Sequence, residues 1–351
     1  MKIVLRFLLL VSWAAYAQVP TYYSSIDFTR SAEDIKIDLS YLITVTQTTA
    51  LPYTASETDT WDAVDLTDQD PNNSANVLLF YGYDDNDGNS ETDRTRDKTY
   101  KCHTTSCTGL WTREHVFAKS LANPSLTTDD PGSGTDVHNL RACDGDMNVT
   151  RYNRRYEEDG VDGNAHITSS DNWYPGDEWK GDVARIIMYM YLRYPTQCLA
   201  NNSGVGPHTY SPDMPDVFLQ WNAQDPVSPY ETQRNTVLET LQGNRNPFID
   251  NPYLATKIWG GTAAEDTWGV LSVSHYPFDS IRVYPTMVHD RLYVTHSTDA
   301  NLDVALYNLS GQVIPCKVLN GHIDVEDLSN GLYVLKVKQA TKVSTVKIIK
   351  Y

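Results

Sequence analysis

Trp111-Thr112-Arg113-Glu114-His115-Val116-Phe117 is the stretch from which the rest of this sequence can be read. It is short enough for a strand, and it sets a carboxylate beside an imidazole. Neighbouring strand residues point to opposite faces, so Glu114 and His115 can serve one site only at a strand end, where the chain turns. The following loop, 123–135, is rich in Pro, Asp and Gly and permits that turn. Two polar segments come next: Asp136-Val137-His138-Asn139-Leu140 and Asn148-Val149-Thr150-Arg151-Tyr152-Asn153. A helix predicted from Asp144 to Tyr156 places Asn148, Arg151 and Tyr152 on one face, at i, i+3 and i+4.

These residue types suit hydrolysis of a phosphodiester. Such a reaction needs a base for water, a cation for developing charge and donors for the phosphate. An imidazole is a suitable base near neutral pH, and His115 is the candidate. Magnesium prefers oxygen ligands and keeps several waters, so the carboxylate of Glu114 and the amide of Asn148 suffice to hold it. Arg151 offers its guanidinium to the phosphate, against the alternative of an ordinary helix ion pair. His103, His166 and His208 stand alone and read as surface or structural residues, and so does His138.

Around this segment the chain reads as one α+β unit from Thr21 to about Thr267. Residues 76–83 form an apolar, aromatic run, expected as a buried strand. A helix from about Asp182 to Arg193 buries a stripe of Val183, Ile186, Ile187 and Met190. Another opens on Ser228-Pro229-Tyr230-Glu231, a capping box with Pro at the first helical position; Val237, Leu238 and Leu241 face inward and Gly243 ends it. After Thr267 the pattern changes to strands with Gly311, Gly321 and Gly331 at turns, as in a small β-sandwich. The expected division is 1–17 signal peptide, 18–270 catalytic domain, 271–280 linker and 281–351 β-sandwich.

With 351 residues, 40% of them hydrophobic, the chain can bury a sizeable core. Its formal charge of −17 argues against a protein that coats nucleic acid, because such proteins carry a basic face that displaces counterions. Lys2 and Arg6, the apolar run from Phe7 and the Ala15-Tyr16-Ala17 site read as a secretory signal peptide. No later run is long enough to span a bilayer, so no stable membrane insertion is expected. The five cysteines suit an exported protein. Cys102 and Cys107 close a short loop and are paired; Cys143 with Cys198 follows by elimination, with Cys316 left over, although four cysteines allow three pairings. The spacings do not give the two CxxC knuckles of a zinc site.

The ordered blocks 111–117, Asp136-Val137-His138-Asn139-Leu140-Arg141, Asn148 with Arg151 and Asn153, Gly181-Asp182-Val183-Ala184-Arg185 with Tyr189-Met190, and 242–250 resemble the bacterial endonuclease I family. The resemblance spans most of residues 21–255. It implies a ββα-metal finger, His115 as general base, Glu114 and Asn148 as ligands of Mg2+ (with Mn2+ or Ca2+ as substitutes), and Asn139 as the residue that orients the finger. It further implies cleavage of DNA, with RNA as a second candidate, with little sequence specificity and 5′-phosphate products. The tail, through Val283-Tyr284-Pro285, 306–311, Asn330-Gly331-Leu332-Tyr333 and Lys347-Ile348-Ile349-Lys350, resembles the C-terminal sorting domain of the type IX secretion system. That implies a secreted or cell-surface bacterial protein that meets the secretion machinery through its tail. The competing readings are a non-catalytic secreted protein on a nuclease scaffold and, for the tail, an adhesive or carbohydrate-binding sandwich.

Overall fold

The computed structural model describes residues 18–160, 163–271, 281–296, 303–308, 310–318, 321–339 and 342–351. The expected signal peptide, 1–17, and all but the first residue of the expected linker lie outside the described residues. The chain divides into two compact units, one ending at Ser272 and the other starting at Val273.

The first unit is a mixed α/β domain with several small sheets. Helix α1 (Ala32–Val45) starts where the Ser31 hydroxyl accepts from the Asp34 amide, and α2 (Thr60–Thr67) starts on a capping box built by Asp59 and Asp62. Strands β1 (Gln69–Asp70), β2 (Asn73–Leu78) and β3 (Thr95–Asp97) form one antiparallel sheet. The strand expected over 76–83 is therefore shorter and earlier. Its apolar run continues past Leu78 into a turn where Tyr81, fully buried, takes φ +72°.

Strands β4 (Trp111–His115) and β5 (Leu140–Asp144) pair antiparallel, with Glu114 opposite Arg141 and His115 opposite Leu140. Helix α3 (Gly145–Arg151) follows β5 without a break, because the Asp144 carboxylate accepts from the amides of Asp146 and Met147. It is shorter than the sequence suggests, since Tyr152 leaves helical geometry at φ +54°, ψ −124°. Strands β6 (His166–Ile167) and β7 (Trp173–Tyr174) form a small ribbon.

The remaining helices are α4 (Lys180–Arg193), α5 (Ala200–Ser203), α6 (Asp216–Gln224), α7 (Pro229–Gln242), α8 (Pro247–Asp250) and α9 (Tyr253–Trp259). Helix α4 is buried from Gly181 through Leu192, not along one stripe, because α1, α6 and α8 all pack on it. Helix α7 starts on the expected capping box and ends at Gly243, φ +94°. Its buried face differs from the expected one. Leu238 is buried, but Val237 and Leu241 are half-buried, and the inward positions are largely polar: Glu231, Arg234, Asn235 and Gln242.

Those polar groups are paired. Asp68 accepts from Arg141 Nε (3.1 Å) and the Ala142 amide (2.7 Å) and pairs with Arg234. Arg141 also reaches Asp182 (2.8 Å), and Arg185 forms a two-pronged pair with Glu231 (2.6 and 2.8 Å). Arg234 donates to the carbonyls of Val137 and Leu140, both at 2.6 Å. Buried charges survive only when paired and fully bonded, so this network fixes β5 against α2, α4 and α7.

Cys102 and Cys107 form a disulfide. The second bridge does not form: Cys143 and Cys198 are free and buried. Each is accommodated as a small apolar side chain in the core, with Cys143 Sγ 3.4 Å from the Phe80 carbonyl. Among the described residues no helix is long and apolar enough to cross a membrane.

The second unit is β-rich. One sheet runs β13-β10-β8 and another β12-β11-β14-β15-β9, where β8 is Ile281–Tyr284, β9 Met287–Val288, β10 Arg291–His296, β11 Asp303–Asn308, β12 Val313–Ile314, β13 His322–Asp324, β14 Gly331–Gln339 and β15 Lys342–Lys350. In β14, Tyr333, Leu335 and Val337 are buried while Leu332, Val334 and Lys336 are not, the period of two expected of a half-buried strand. One core, including Leu292, Val294, Leu306 and Ile348, draws on both sheets.

Candidate active site

A cleft of about 410 Å³ opens beside the end of β4, and Glu114, His115, Asn148 and Arg151 all line it. Strand and helix converge there for a local reason: β4 ends at His115, and α3 begins directly from its partner strand, so the helix lies back over the strand end.

His115 Nε2 lies 2.8 Å from the Gly134 carbonyl. A carbonyl only accepts, so Nε2 carries the proton and Nδ1 keeps its lone pair. Nδ1 has no hydrogen-bond partner among the described residues. Burial, reinforced by the positive charges of Lys119, Arg113 and Arg151 and opposed by the Gly134 bond, lowers the imidazole to about 4. The ring is therefore neutral at pH 7. Tyr53 stacks beside it, centroids 5.7 Å apart, and the Arg113 guanidinium lies 3.5 Å from the Tyr53 ring centroid and 3.9 Å from that of Trp61.

Glu114 is 2% exposed. Its Oε1 accepts from the Tyr81 hydroxyl at 3.2 Å and pairs with Arg151 Nε at 3.3 Å, while Oε2 has no partner among the described residues. Burial raises the carboxyl to about 7 against the pull of Arg151 and Tyr81. The Asn148 side chain, half-buried on the cleft wall, likewise makes no hydrogen bond among the described residues. A buried carboxylate with a spare oxygen and an uncommitted amide are hard oxygen donors that fit a magnesium ion, and a divalent cation there would hold Glu114 ionised. No three His, Cys, Asp or Glu side chains converge on a metal-binding cage among the described residues.

Two other expected residues make their contacts chiefly within the protein. Arg151 is fully buried, and besides Glu114 it donates to the Val116 carbonyl (2.8 Å) and the Tyr152 carbonyl (3.0 Å). Its guanidinium is spent mainly inside the protein. Asn139 stands behind the cleft, not on its wall. Its side chain accepts from the Phe117 amide (2.7 Å) and donates to the Phe117 carbonyl (3.1 Å), which pins the chain just after His115. The sequence reading missed Tyr53, Gly134 and the buried pair Tyr81 and Tyr156, whose hydroxyls are 2.7 Å apart behind Glu114. Gly134 sits in the Pro/Asp/Gly loop already singled out; no spacing in the sequence points to Tyr81.

Residues 31–253 match the family model described as endonuclease I, and residues 282–351 match the secretion system C-terminal sorting domain. The chain is similar to an extracellular ribonuclease of Bacillus subtilis (strain 168), 36% identical over 258 residues covering 70% of this chain and 81% of that protein. It is 38% identical over 216 residues to an extracellular ribonuclease of Bacillus amyloliquefaciens, covering 58% of this chain and 68% of that one. An extracellular deoxyribonuclease of Aeromonas hydrophila is 29% identical over 125 residues, 33% of this chain and 49% of that protein. The sorting domain marks a protein destined for secretion or the cell surface. The chain belongs to the endonuclease I family, nucleases here joined to a C-terminal secretion sorting domain.

Proposed function

We propose that this chain is a secreted, magnesium-dependent endonuclease that hydrolyses phosphodiester bonds of RNA and DNA, with His115 as general base and Glu114 and Asn148 as metal ligands. In this reading β4, β5 and α3 form a ββα-metal finger. Residues 18–270 are the catalytic domain, 271–280 a linker and 281–351 a sorting domain built as a β-sandwich. The observation that carries the proposal is the pinned imidazole: its Nε2 is held by Gly134, and Nδ1 has no partner among the described residues, on the wall that also holds Glu114 and Asn148.

His115 Nδ1 takes a proton from water as the water oxygen bonds to phosphorus and the O3′–P bond breaks, leaving a 5′-phosphate and a 3′ oxygen that takes its proton from solvent water. The imidazolium so formed keeps its Nε2 proton on the Gly134 carbonyl, a favourable charge-assisted bond. Tyr81 and Arg151 hold Glu114 at the cleft, and Asn139 holds the backbone after His115. A bound magnesium would supply Lewis-acid stabilisation of charge on the phosphate and on the departing oxygen.

Attack by external water needs no 2′-hydroxyl, so this chemistry is indifferent to the sugar. That agrees with the names of the relatives, which include both ribonucleases and deoxyribonucleases. Incubating the protein with supercoiled plasmid and with RNA, with magnesium or with chelator, tests the proposal. Cutting is expected only with metal, and His115→Ala should lower it about 10²- to 10⁴-fold while leaving the fold intact. Cutting that survives chelator, or that survives His115→Ala, rejects the mechanism.

A further inference from the structure

We infer that Tyr152 is a stacking platform for an unpaired nucleobase next to the cleavage site, an inference that rests on the nuclease reading above. Tyr152 lines the same cleft as Glu114, His115 and Asn148. It is 70% exposed, and among the described residues its side chain has neither a ring neighbour nor a hydrogen bond. A large ring left in water at the wall of a cleft contributes little to folding.

The backbone adds an independent argument. Tyr152 ends α3 at φ +54°, ψ −124°, a region that glycine occupies freely and that strains a residue with a Cβ. The conformation is held from both sides. The Tyr152 amide donates to the Asn148 carbonyl (2.9 Å), and Arg151 Nη1 donates to the Tyr152 carbonyl (3.0 Å). Asn153 is tied in turn to Ser120 (3.0 Å). A glycine would adopt this backbone without penalty, and the largely exposed ring gains little packing in exchange. What the strained turn achieves is to hold an aromatic face rigidly at the cleft, one residue beyond the helix that carries Asn148.

The ligand class follows from charge and shape. The chain carries −17, and of the three cations on the cleft wall Arg113 and Arg151 are committed to neighbours, which leaves Lys119 exposed. Attraction to a polyanion through phosphate contacts alone is weak here. Stacking gains affinity without displacing counterions, and it is indifferent to sequence because every base has a π face. A base inside a duplex is already stacked on both sides, so the platform favours single-stranded or locally unpaired RNA or DNA.

The test is equilibrium binding of a labelled single-stranded oligonucleotide, and of the matching duplex, to the full chain with magnesium in a His115→Ala background that prevents turnover. Tyr152→Ala is expected to weaken single-strand binding roughly 5- to 150-fold, the affinity equivalent of one base–aromatic stack. Tyr152→Phe should bind like the parent, and Tyr152→Gly, which removes ring and strain together, should bind like Tyr152→Ala. Duplex binding should fall much less. The ratio between Tyr152→Ala and parent should hold from low to high salt, whereas the ratio for Lys119→Ala should shrink. Equal losses on single strand and duplex, a Phe variant as weak as Ala, or a parent that does not bind single strands overturns the inference. Cleavage by the wild-type protein is scored separately. A protein that binds through Tyr152 but never cuts defeats the enzyme reading alone, and one that cuts without regard to Tyr152 defeats this inference alone.

Discussion

The Gly134 carbonyl receives the Nε2 proton of His115 at 2.8 Å across nineteen residues of chain, so a backbone atom sets the tautomer of the ring. Residue 134 is tightly enclosed: a Cβ built there would lie 1.9 Å from the Thr127 carbonyl oxygen. Gly134→Ala must therefore shift one loop strand against the other and move the carbonyl. Catalysis is sensitive to misplacement on the ångström scale, so cleavage should fall on the order of 10²-fold, and the forced backbone shift should lower the thermal midpoint as well. Steady-state kinetics beside a melting curve would show it, and undiminished turnover would mean that the Gly134 bond does not orient the base.

The metal proposal predicts graded losses. Glu114→Gln and Asn148→Ala should each weaken magnesium binding, measured by calorimetry, with cleavage partly restored at high metal. Tyr81→Phe keeps the ring and removes only the hydroxyl that donates to Glu114. It should weaken magnesium by roughly 10- to 100-fold, the usual cost of losing a group that supports a metal ligand. If all three variants bind magnesium like the wild type, the ligands lie elsewhere.

His138 predicts a pH effect on stability. It is 2% exposed against Tyr189, and burial lowers it from 6.5 to about 4. Between those values the unfolded chain takes up a proton that the folded chain refuses, so stability is present above pH 6.5 and is lost as pH falls towards 4. The loss is up to about 3 kcal/mol from this residue, and His115 adds in the same direction. Urea denaturation from pH 7 to 4 should show the decline, and His138→Gln should flatten it. A variant whose pH dependence parallels the wild type would place the cause elsewhere.

Removing one partner of the buried network should be severe. Arg234→Met leaves Asp68 with one cation fewer and removes the guanidinium that donates to the Val137 and Leu140 carbonyls, of which Val137 keeps the Leu140 amide. A loss of about 3–5 kcal/mol is expected, read as a lower denaturation midpoint. A change under 1 kcal/mol would show that water takes over these bonds.

A fragment of residues 18–270 should fold and cut at the full chain's specific activity, since every residue assigned to the chemistry precedes Gly160 and the compact units divide after Ser272. A soluble, monodisperse but inactive fragment would mean that the tail completes the site.

Much of this could be read in the sequence because chemistry and periodicity are local signals. The strand-end argument puts Glu114 and His115 on one site, and the structure places both on one cleft with Asn148. The α7 capping box and its terminal glycine were equally readable, being fixed by residues within one turn. The inward face of α7 was not. Glu231, Arg234 and Gln242 look like a solvated stripe until Asp68, Asp136 and Arg185, far off in sequence, are brought against them. Tyr81 escaped notice for the same reason, because its partner lies 33 residues away. Pairing Cys143 with Cys198 failed because elimination assumes that every cysteine of an exported chain is oxidised, whereas both sit in the hydrophobic core as thiols.

The buried ion pairs also bear on the order in which the molecule can be completed. A ribosome releases Asp68, Arg141 and the whole of the cleft long before it reaches Arg234 and Glu231. Until α7 emerges, the carbonyls of Val137 and Leu140 lack the Arg234 donor, and Arg185 lacks its two-pronged pair with Glu231. An incomplete chain therefore holds Glu114, His115 and Asn148 on a frame that has not closed. The frame around the cleft is complete only near the end of the domain's synthesis.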